Sequence, residues 1–155
     1  MARNEQALRD VVEHTAAILT AAGFPKMPAR VLMAITVSET AGPTAQELSD
    51  QLGASAAAIS GAVRYLQTVG IVRRVSQTGS RRDRYELPED AWYTALTSKS
   101  PIYGVLAAQA DAGAVAIDDP ASVATARLVE MARFYRFVES RMPELLSEWE
   151  QLRRA

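Results

Sequence analysis

The segment from Pro43 to Leu87 is the part of this sequence that most limits the folds open to the chain. It contains two short helical patterns separated by Gly53, followed by two runs with strand character that are joined by a loop around Gly79. Helix, tight turn, helix and hairpin in this order are typical of a winged helix-turn-helix. The sequence therefore predicts a mainly α-helical protein with one small β-hairpin.

Local signals set the bounds of the two helices in this motif. Thr44 and Glu47 form a capping box, which predicts a helix from Ala45 to Leu52. Ser55 is placed to cap the next helix. The inward-facing residues expected on that helix are Ala58, Ile59, Ala62, Val63 and Leu66.

Positive charge is concentrated in the second helix and the hairpin. The whole chain has a formal net charge of −1, yet residues 64–86 contain six arginines and two acidic residues. Strands are expected at 71–75 and 84–87, and the hairpin that they form would present part of this charge. Arginines can neutralise DNA phosphates or enter a narrow minor groove. We therefore expect this segment to bind double-stranded DNA.

The second helix of the motif is the element expected to enter the major groove. Its outward positions are small, which lets its backbone approach DNA, and Arg64 is its single cation. The candidate DNA-binding residues on these grounds are Ala56, Ser60, Gly61, Arg64, Arg81, Arg82 and Arg84. If a dimer neutralises about six phosphates, the log–log salt slope of binding is near −5, at roughly −0.9 per phosphate.

Helical patterns flank the motif on both sides. A helix is expected over residues 5–22, and another from near Pro28 to Val37. A further helix is expected to start at Asp118-Asp119-Pro120. The predicted domains are an N-terminal dimerisation helix at 1–27, a winged helix-turn-helix at 28–90 and a C-terminal helical dimerisation region at 91–155.

The C-terminal part of the chain has a heptad pattern of apolar residues, which recur every three or four positions. They are Leu128, Met131, Tyr135, Val138, Met142, Leu145, Trp149 and Leu152. Together with Leu8 and Val11 they predict a homodimer interface, because a monomer would expose them. The alternative is burial within one chain. Pro143 lacks an amide donor and predicts a kink or two abutting helices.

Several segments resemble MarR-type transcriptional regulators, in particular the GbsR-like branch. They are residues 42–48, 52–53, 59–60, 64–66, 70–75 and 79–86, of which the wing sequence Gly-x-Arg-Arg-Asp-x-Tyr-Glu is the most specific. The resemblance implies a homodimer with interlocking terminal helices, a pseudo-palindromic operator and repression rather than activation. It also implies a small-molecule effector, and a role for Asp83 in bracing a wing arginine. The DNA contacts that it implies are Ser55, Ser60, Arg64, Arg81, Arg82 and Arg84.

Aromatic residues beyond the hairpin offer a place for such an effector. The candidate pocket residues are Trp92, Tyr103 and Phe134, and ordinary core or interface positions are the alternative. A choline-like ligand in an aromatic cage is one chemistry that these side chains allow, and a generic apolar effector is another.

The sequence contains no recognisable catalytic or metal-binding motif. It has no cysteine, one histidine, and neither a phosphate-binding Gly-x-x-x-x-Gly-Lys loop nor a nucleophile elbow. We therefore expect no enzymatic activity, no cofactor and no metal. With no long apolar run and no signal peptide, we expect a cytoplasmic protein without a membrane partner. The alternative function is a winged-helix adaptor that binds proteins and lacks specific DNA binding.

Overall fold

The computed structural model describes residues 4–93 and 100–155. The elements in chain order are α1 (Glu5–Ala21), α2 (Lys26–Thr36), α3 (Ala45–Leu52), α4 (Ala56–Thr68), β1 (Arg73–Ser76), β2 (Asp83–Glu86), α5 (Ser100–Ile117) and α6 (Val123–Arg154). They form two compact units. Of the described residues, 4–93 belong to the first unit and 100–155 to the second. The predicted fold class, mainly α-helical with a small β-hairpin, is confirmed.

α2 is the central helix of the first unit. It packs against α1, α3 and α4, and nearly all of its residues from Pro28 to Ile35 are buried. It begins at Lys26, slightly before the expected start near Pro28. α1 begins after Asn4, whose side chain accepts a hydrogen bond from the amide of Ala7 at 2.9 Å. Val12 and Ala16 are the buried residues through which α1 faces α2.

α3 and α4 form the predicted helix-turn-helix. The capping box of α3 is present, with Thr44 and Glu47 each accepting from the other's backbone amide, at 3.2 and 2.7 Å. Gly53 follows in the left-handed conformation, with φ of +60°. Ser55 caps α4 and accepts from the amide of Ala58 at 3.2 Å. The predicted stripe on α4 is buried except for Ala58, which is half-buried.

β1 and β2 form an antiparallel hairpin, the wing, with Arg73 opposite Glu86. The prediction that the first strand starts at Ile71 is wrong. The amides of Ile71 and Val72 both donate to the carbonyl of Leu66 at the end of α4, which keeps them out of the strand ladder. Both side chains are buried instead, so these residues anchor the wing to the core.

The chain just before α3 contacts β2 through an isolated β-bridge. The amide of Tyr85 donates to the carbonyl of Pro43 at 3.0 Å, and Thr44 forms a bridge with Arg84. Gly42 has φ of +131°, and a Cβ there would lie 2.5 Å from the carbonyl oxygen of Tyr85. Only glycine allows the chain to pass β2 this closely.

α5 and α6 form an antiparallel helical hairpin in the second unit. Small residues allow the close contact: Ala107, Ala110 and Ala132 are buried, and a Cβ on Gly113 would lie 3.0 Å from Leu128. α6 is a single helix that includes Pro143, so of the two predicted outcomes the pair of abutting helices is wrong and the kink stays a prediction. No helix in the described parts of the chain combines the length and apolar character that crossing a membrane requires.

The connection between these helices differs from the prediction of a start at Asp118-Asp119-Pro120. Asp118 adopts a positive φ of 50°, and Asp119 accepts a hydrogen bond from the amide of Ala121, which makes a turn. The cap of α6 is Ser122, which accepts from the amide of Ala124 at 3.2 Å. The aspartates therefore form the loop, and the helix begins after it.

Candidate nucleic-acid interface

The outward surface of α4 is made of small side chains and one arginine. At about 100° per residue, Ala57, Gly61 and Arg64 lie opposite the buried stripe of the helix, and all three are exposed. Ala56 and Ser60 are also exposed and lie beside them. From Ala56 to Gly61 the exposed side chains are short, so a ligand could come close to the backbone of α4. Arg64 is the first long side chain on this surface.

Gly61 has no structural reason to be glycine. A Cβ at this position would meet no atom within 4 Å, and the residue lacks the positive φ that favours glycine. Glycine inside a helix costs about 0.8–1 kcal/mol relative to alanine. The fold therefore gains no stability from a glycine at this position.

The two arginines of β1 are paired with acidic residues of β2. Arg73 forms an ion pair with Glu86, its partner across the strands. The Nε of Arg74 lies 3.4 Å from Asp83, which accepts from the hydroxyl of Ser76 as well. Asp83 thus braces a wing arginine, as predicted. These pairs neutralise the charge along the strands themselves.

The arginines at the wing tip are different. Arg81 and Arg82 are exposed and follow the turn in which the amide of Ser80 donates to the carbonyl of Gln77 at 3.0 Å. The hydroxyl of Ser80 accepts from the backbone amide of Arg82 at 3.1 Å. Within residues 4–93 and 100–155, no ion pair involves either guanidinium, and the same holds for Arg64. The arginines of the motif without an ion pair in the described residues therefore lie at the tip of the wing and on α4, although the charge of Arg82 also helps to lower the pKa of Glu47.

Arg84, the third predicted wing contact, is held within the protein. Its Nη1 donates to the carbonyl of Gly42 at 2.8 Å and lies 3.5 Å from the Glu47 carboxylate. Its Nε donates to Gln77 at 3.2 Å. The side chain is 27% exposed. Arg84 therefore connects the wing to the start of α3, which fits a bracing role better than a phosphate contact.

Glu47 completes this brace. The backbone amide of Thr44 holds the pKa of the Glu47 carboxyl below its usual 4.5, and the hydroxyl of Thr44 and the charge of Arg84 act in the same direction, while burial opposes them. The ionised form is the one that both caps α3 and attracts Arg84. The position of the wing is thus linked to the charge of one carboxylate.

We predict that acid weakens this brace. Because the pKa of Glu47 is lowered in the folded state, its contribution to stability is present above the unfolded value near 4.5 and is lost as pH falls through the lower folded value. Glu47→Gln keeps a side-chain oxygen that can accept from the amide of Thr44 but has no titrating group. Urea unfolding at pH 7 and pH 3.5 should show wild type losing more stability than Glu47→Gln on acidification. Equal losses would contradict the link.

The predicted dimerisation residues fall into two groups. Leu128, Met131 and Tyr135 pack on the alanine cluster between α5 and α6, so they serve the interior of the second unit. The last three residues of the heptad pattern are not among those that pack on this cluster, and Leu145, Trp149 and Leu152 are 53%, 48% and 70% exposed. Val138 and Met142, which lie between the two groups, are half-buried. On α1, Leu8 is half-buried and Val11 is 48% exposed.

Two of the predicted pocket residues lie near the same ring. Tyr103 stacks on Tyr135 with centroids 5.7 Å apart, and Phe134 lies 5.8 Å from that ring at a tilt. Trp92 belongs to the first unit and is 51% exposed. A pocket that contains all three residues stays a prediction.

Sequence reasoning missed Arg30, whose partners are 17 and 22 positions away in the chain.

Two protein-family models match the chain. A model described as the MarR family matches residues 22–83. A second model, described as an MmpR5-like MarR family transcriptional regulator, matches residues 90–153. Both parts of the chain therefore point to one family. The chain belongs to the MarR family. It is a transcriptional regulator and not an enzyme.

One solved structure shares the fold of this MarR-family protein, and others are similar to it at lower TM-scores. One crystal structure of a transcriptional regulator has a TM-score of 0.82 and 23% identity, over 94% of this chain and 99% of that one. MepR, a transcription regulator of the Staphylococcus aureus multidrug efflux pump MepA, has a TM-score of 0.44 and 12% identity, over 93% and 91%. The S. aureus MepR–DNA complex has a TM-score of 0.43 and 13% identity, over 90% and 98%. No curated protein sequence matches the chain.

Proposed function

We propose that this MarR-family regulator binds double-stranded DNA as a homodimer, with α4 in the major groove and the wing tip against the neighbouring backbone or minor groove. The observation that carries the proposal is the separation of charge within the motif. Arg73, Arg74 and Arg84 are engaged with acidic or backbone partners, whereas the charges on α4 and at the wing tip are exposed. An arginine without an internal ion pair is suited to phosphate contact, because no such pair has to be broken before it binds.

We also propose that the protein represses transcription at a pseudo-palindromic operator and that a small-molecule effector regulates it. These points rest on the family resemblance, as does assignment to the GbsR-like branch, which depends on the wing sequence at 79–86. Two-fold symmetry of the protein would place two copies of α4 one helical turn of DNA apart. Aromatic residues such as Tyr103 and Phe134 are the candidates for contact with an effector.

The test is titration of the purified protein with its own upstream DNA by fluorescence anisotropy at several salt concentrations. A scrambled duplex of equal length is the control. At least tenfold preference for the native sequence, with a log–log slope near −5 from about six phosphates, is the expected result. Equal weak binding to both duplexes would contradict specific recognition of this DNA. Absence of binding at low salt would favour a winged-helix protein adaptor.

The homodimer is supported by the exposed end of α6. Leu145, Trp149 and Leu152 follow one another at helical spacing on one face, and all are about half exposed or more. Soluble monomers rarely leave such a row in contact with water. A second copy of the same helix offers a matching apolar row, since the heptad pattern is self-complementary.

We predict that Leu145→Asp converts the protein to a monomer. A carboxylate in an apolar interface is costly to desolvate, so dimer affinity should fall by at least about 100-fold. Sedimentation should then show a species of 16.8 kDa at micromolar concentration. The matched control is Ser147→Asp, which adds the same charge on the opposite side of α6. Retention of the dimer by Leu145→Asp would exclude this part of α6 from the interface.

A further inference from the structure

One side chain of the first unit joins three helices. Arg30 lies on α2, and its side chain is 19% exposed. Its Nε and Nη2 donate to both carboxylate oxygens of Glu13 on α1, at 2.7 to 3.0 Å. The same Nη2 donates to the carbonyl oxygen of Leu52, the last residue of α3, at 2.9 Å. α1, α2 and α3 therefore meet at one guanidinium.

The carbonyl of Leu52 belongs to the turn that sets the direction of α4. The last carbonyls of a helix have no partner within it, so their contacts decide how the chain leaves. Ser49 fixes the turn from inside by donating from its hydroxyl to the carbonyl of Ala54 at 2.6 Å. Among the hydrogen bonds of the described residues, the one from Arg30 reaches this turn from outside the helix-turn-helix.

The direction of this hydrogen bond depends on Glu13. Guanidinium is planar with fixed donor directions, so a carboxylate bound to two of its nitrogens also orients the remaining donors. A displacement of Glu13 would turn the plane of Arg30 and weaken its bond to Leu52. Val11 and Ile18 lie on the exposed side of α1, at 48% and 69% exposure, so this side offers apolar surface for contact with a partner.

We infer that Arg30 is a positioning residue for DNA recognition and that Glu13 acts through it. The junction of Glu13, Arg30 and Leu52 fixes the angle at which α4 leaves the turn. A change in α1 is thereby passed to the DNA-binding helix without any contact to DNA. This inference rests on the proposed function, because the angle of α4 matters for binding only if α4 meets the DNA.

A double-mutant cycle on operator binding tests the junction. Glu13→Gln and Arg30→Met should each weaken binding about tenfold, as expected for coupled contacting residues. The salt slope should stay near that of wild type, because no phosphate contact is removed. The double variant should bind as Arg30→Met alone does. Additive losses would overturn the inference, because they would mean that Glu13 acts independently of Arg30.

The control is Asp111→Asn, which breaks another interhelical carboxylate–arginine pair, the one between Asp111 on α5 and Arg136 on α6. It should leave operator affinity unchanged. An equal loss in this variant would show that any broken ion pair weakens binding and would overturn the assignment to Arg30.

Hydrogen exchange of the DNA-free protein separates this inference from the proposed function. Glu13→Gln should speed exchange of the amides of Gly53 and Ala54 about tenfold, with no change at Ala132 in the second unit. Unchanged exchange at the turn would overturn the junction even if the protein binds its operator. Failure of wild type to bind DNA would reject the proposed function, and the exchange rates would still decide whether Arg30 holds the turn.

Discussion

Replacing Arg81 and Arg82 together with alanine should lower operator affinity at 0.15 M salt by about 10²–10³-fold. The dimer would lose about four phosphate contacts, each worth roughly 0.7 log units at this salt concentration. The log–log salt slope should fall from near −5 to near −2. Neither guanidinium forms an ion pair in the described parts of the chain, so the fold loses no internal charge pair.

The slope is the more informative measurement, because a folding defect would lower affinity without changing the number of released ions. The matched control removes two exposed arginines of α6, Arg127 and Arg133, which changes the net charge by the same amount. This control should keep the slope of wild type. A slope that stays near −5 after loss of Arg81 and Arg82 would exclude the wing tip from phosphate contact.

Short-range signals made the helix-turn-helix predictable. The Thr44–Glu47 capping box, the left-handed Gly53 and the Ser55 cap each act within about three residues, so local sequence determines them. The wing was less predictable. Ile71 and Val72 have strand character, but the nearby carbonyl of Leu66 takes both of their amides.

Side-chain roles that depend on distant partners could not be predicted. The sequence does not distinguish the roles of Arg81, Arg82 and Arg84. In the structure Arg84 donates a hydrogen bond to the carbonyl of Gly42, 42 positions away, and forms an ion pair with Glu47. The heptad pattern had the same ambiguity. Its first three residues pack on α5 because Ala107 and Ala110 leave room for them, which a repeat on α6 alone does not reveal.

Gly61→Leu should make the protein more stable and remove its preference for the operator. Leucine is a far better helix former than glycine, and the position is open, so unfolding should cost roughly 0.6–0.8 kcal/mol more. The major groove is about 12 Å wide and a helix with its side chains is about 10–12 Å across. A leucine on the outward row of α4 would therefore hold the helix away from the base edges.

Gly61→Ala is the graded control for this prediction. It should stabilise the fold by about 0.8–1 kcal/mol and reduce operator affinity less than leucine does, because a single methyl group intrudes less. Urea unfolding and anisotropy on operator and scrambled duplexes measure the two effects in the same samples. If both variants gain stability and still prefer the operator as wild type does, Gly61 does not face the DNA. If affinity falls as side-chain size rises while stability increases, glycine at this position is maintained for recognition at the expense of the helix.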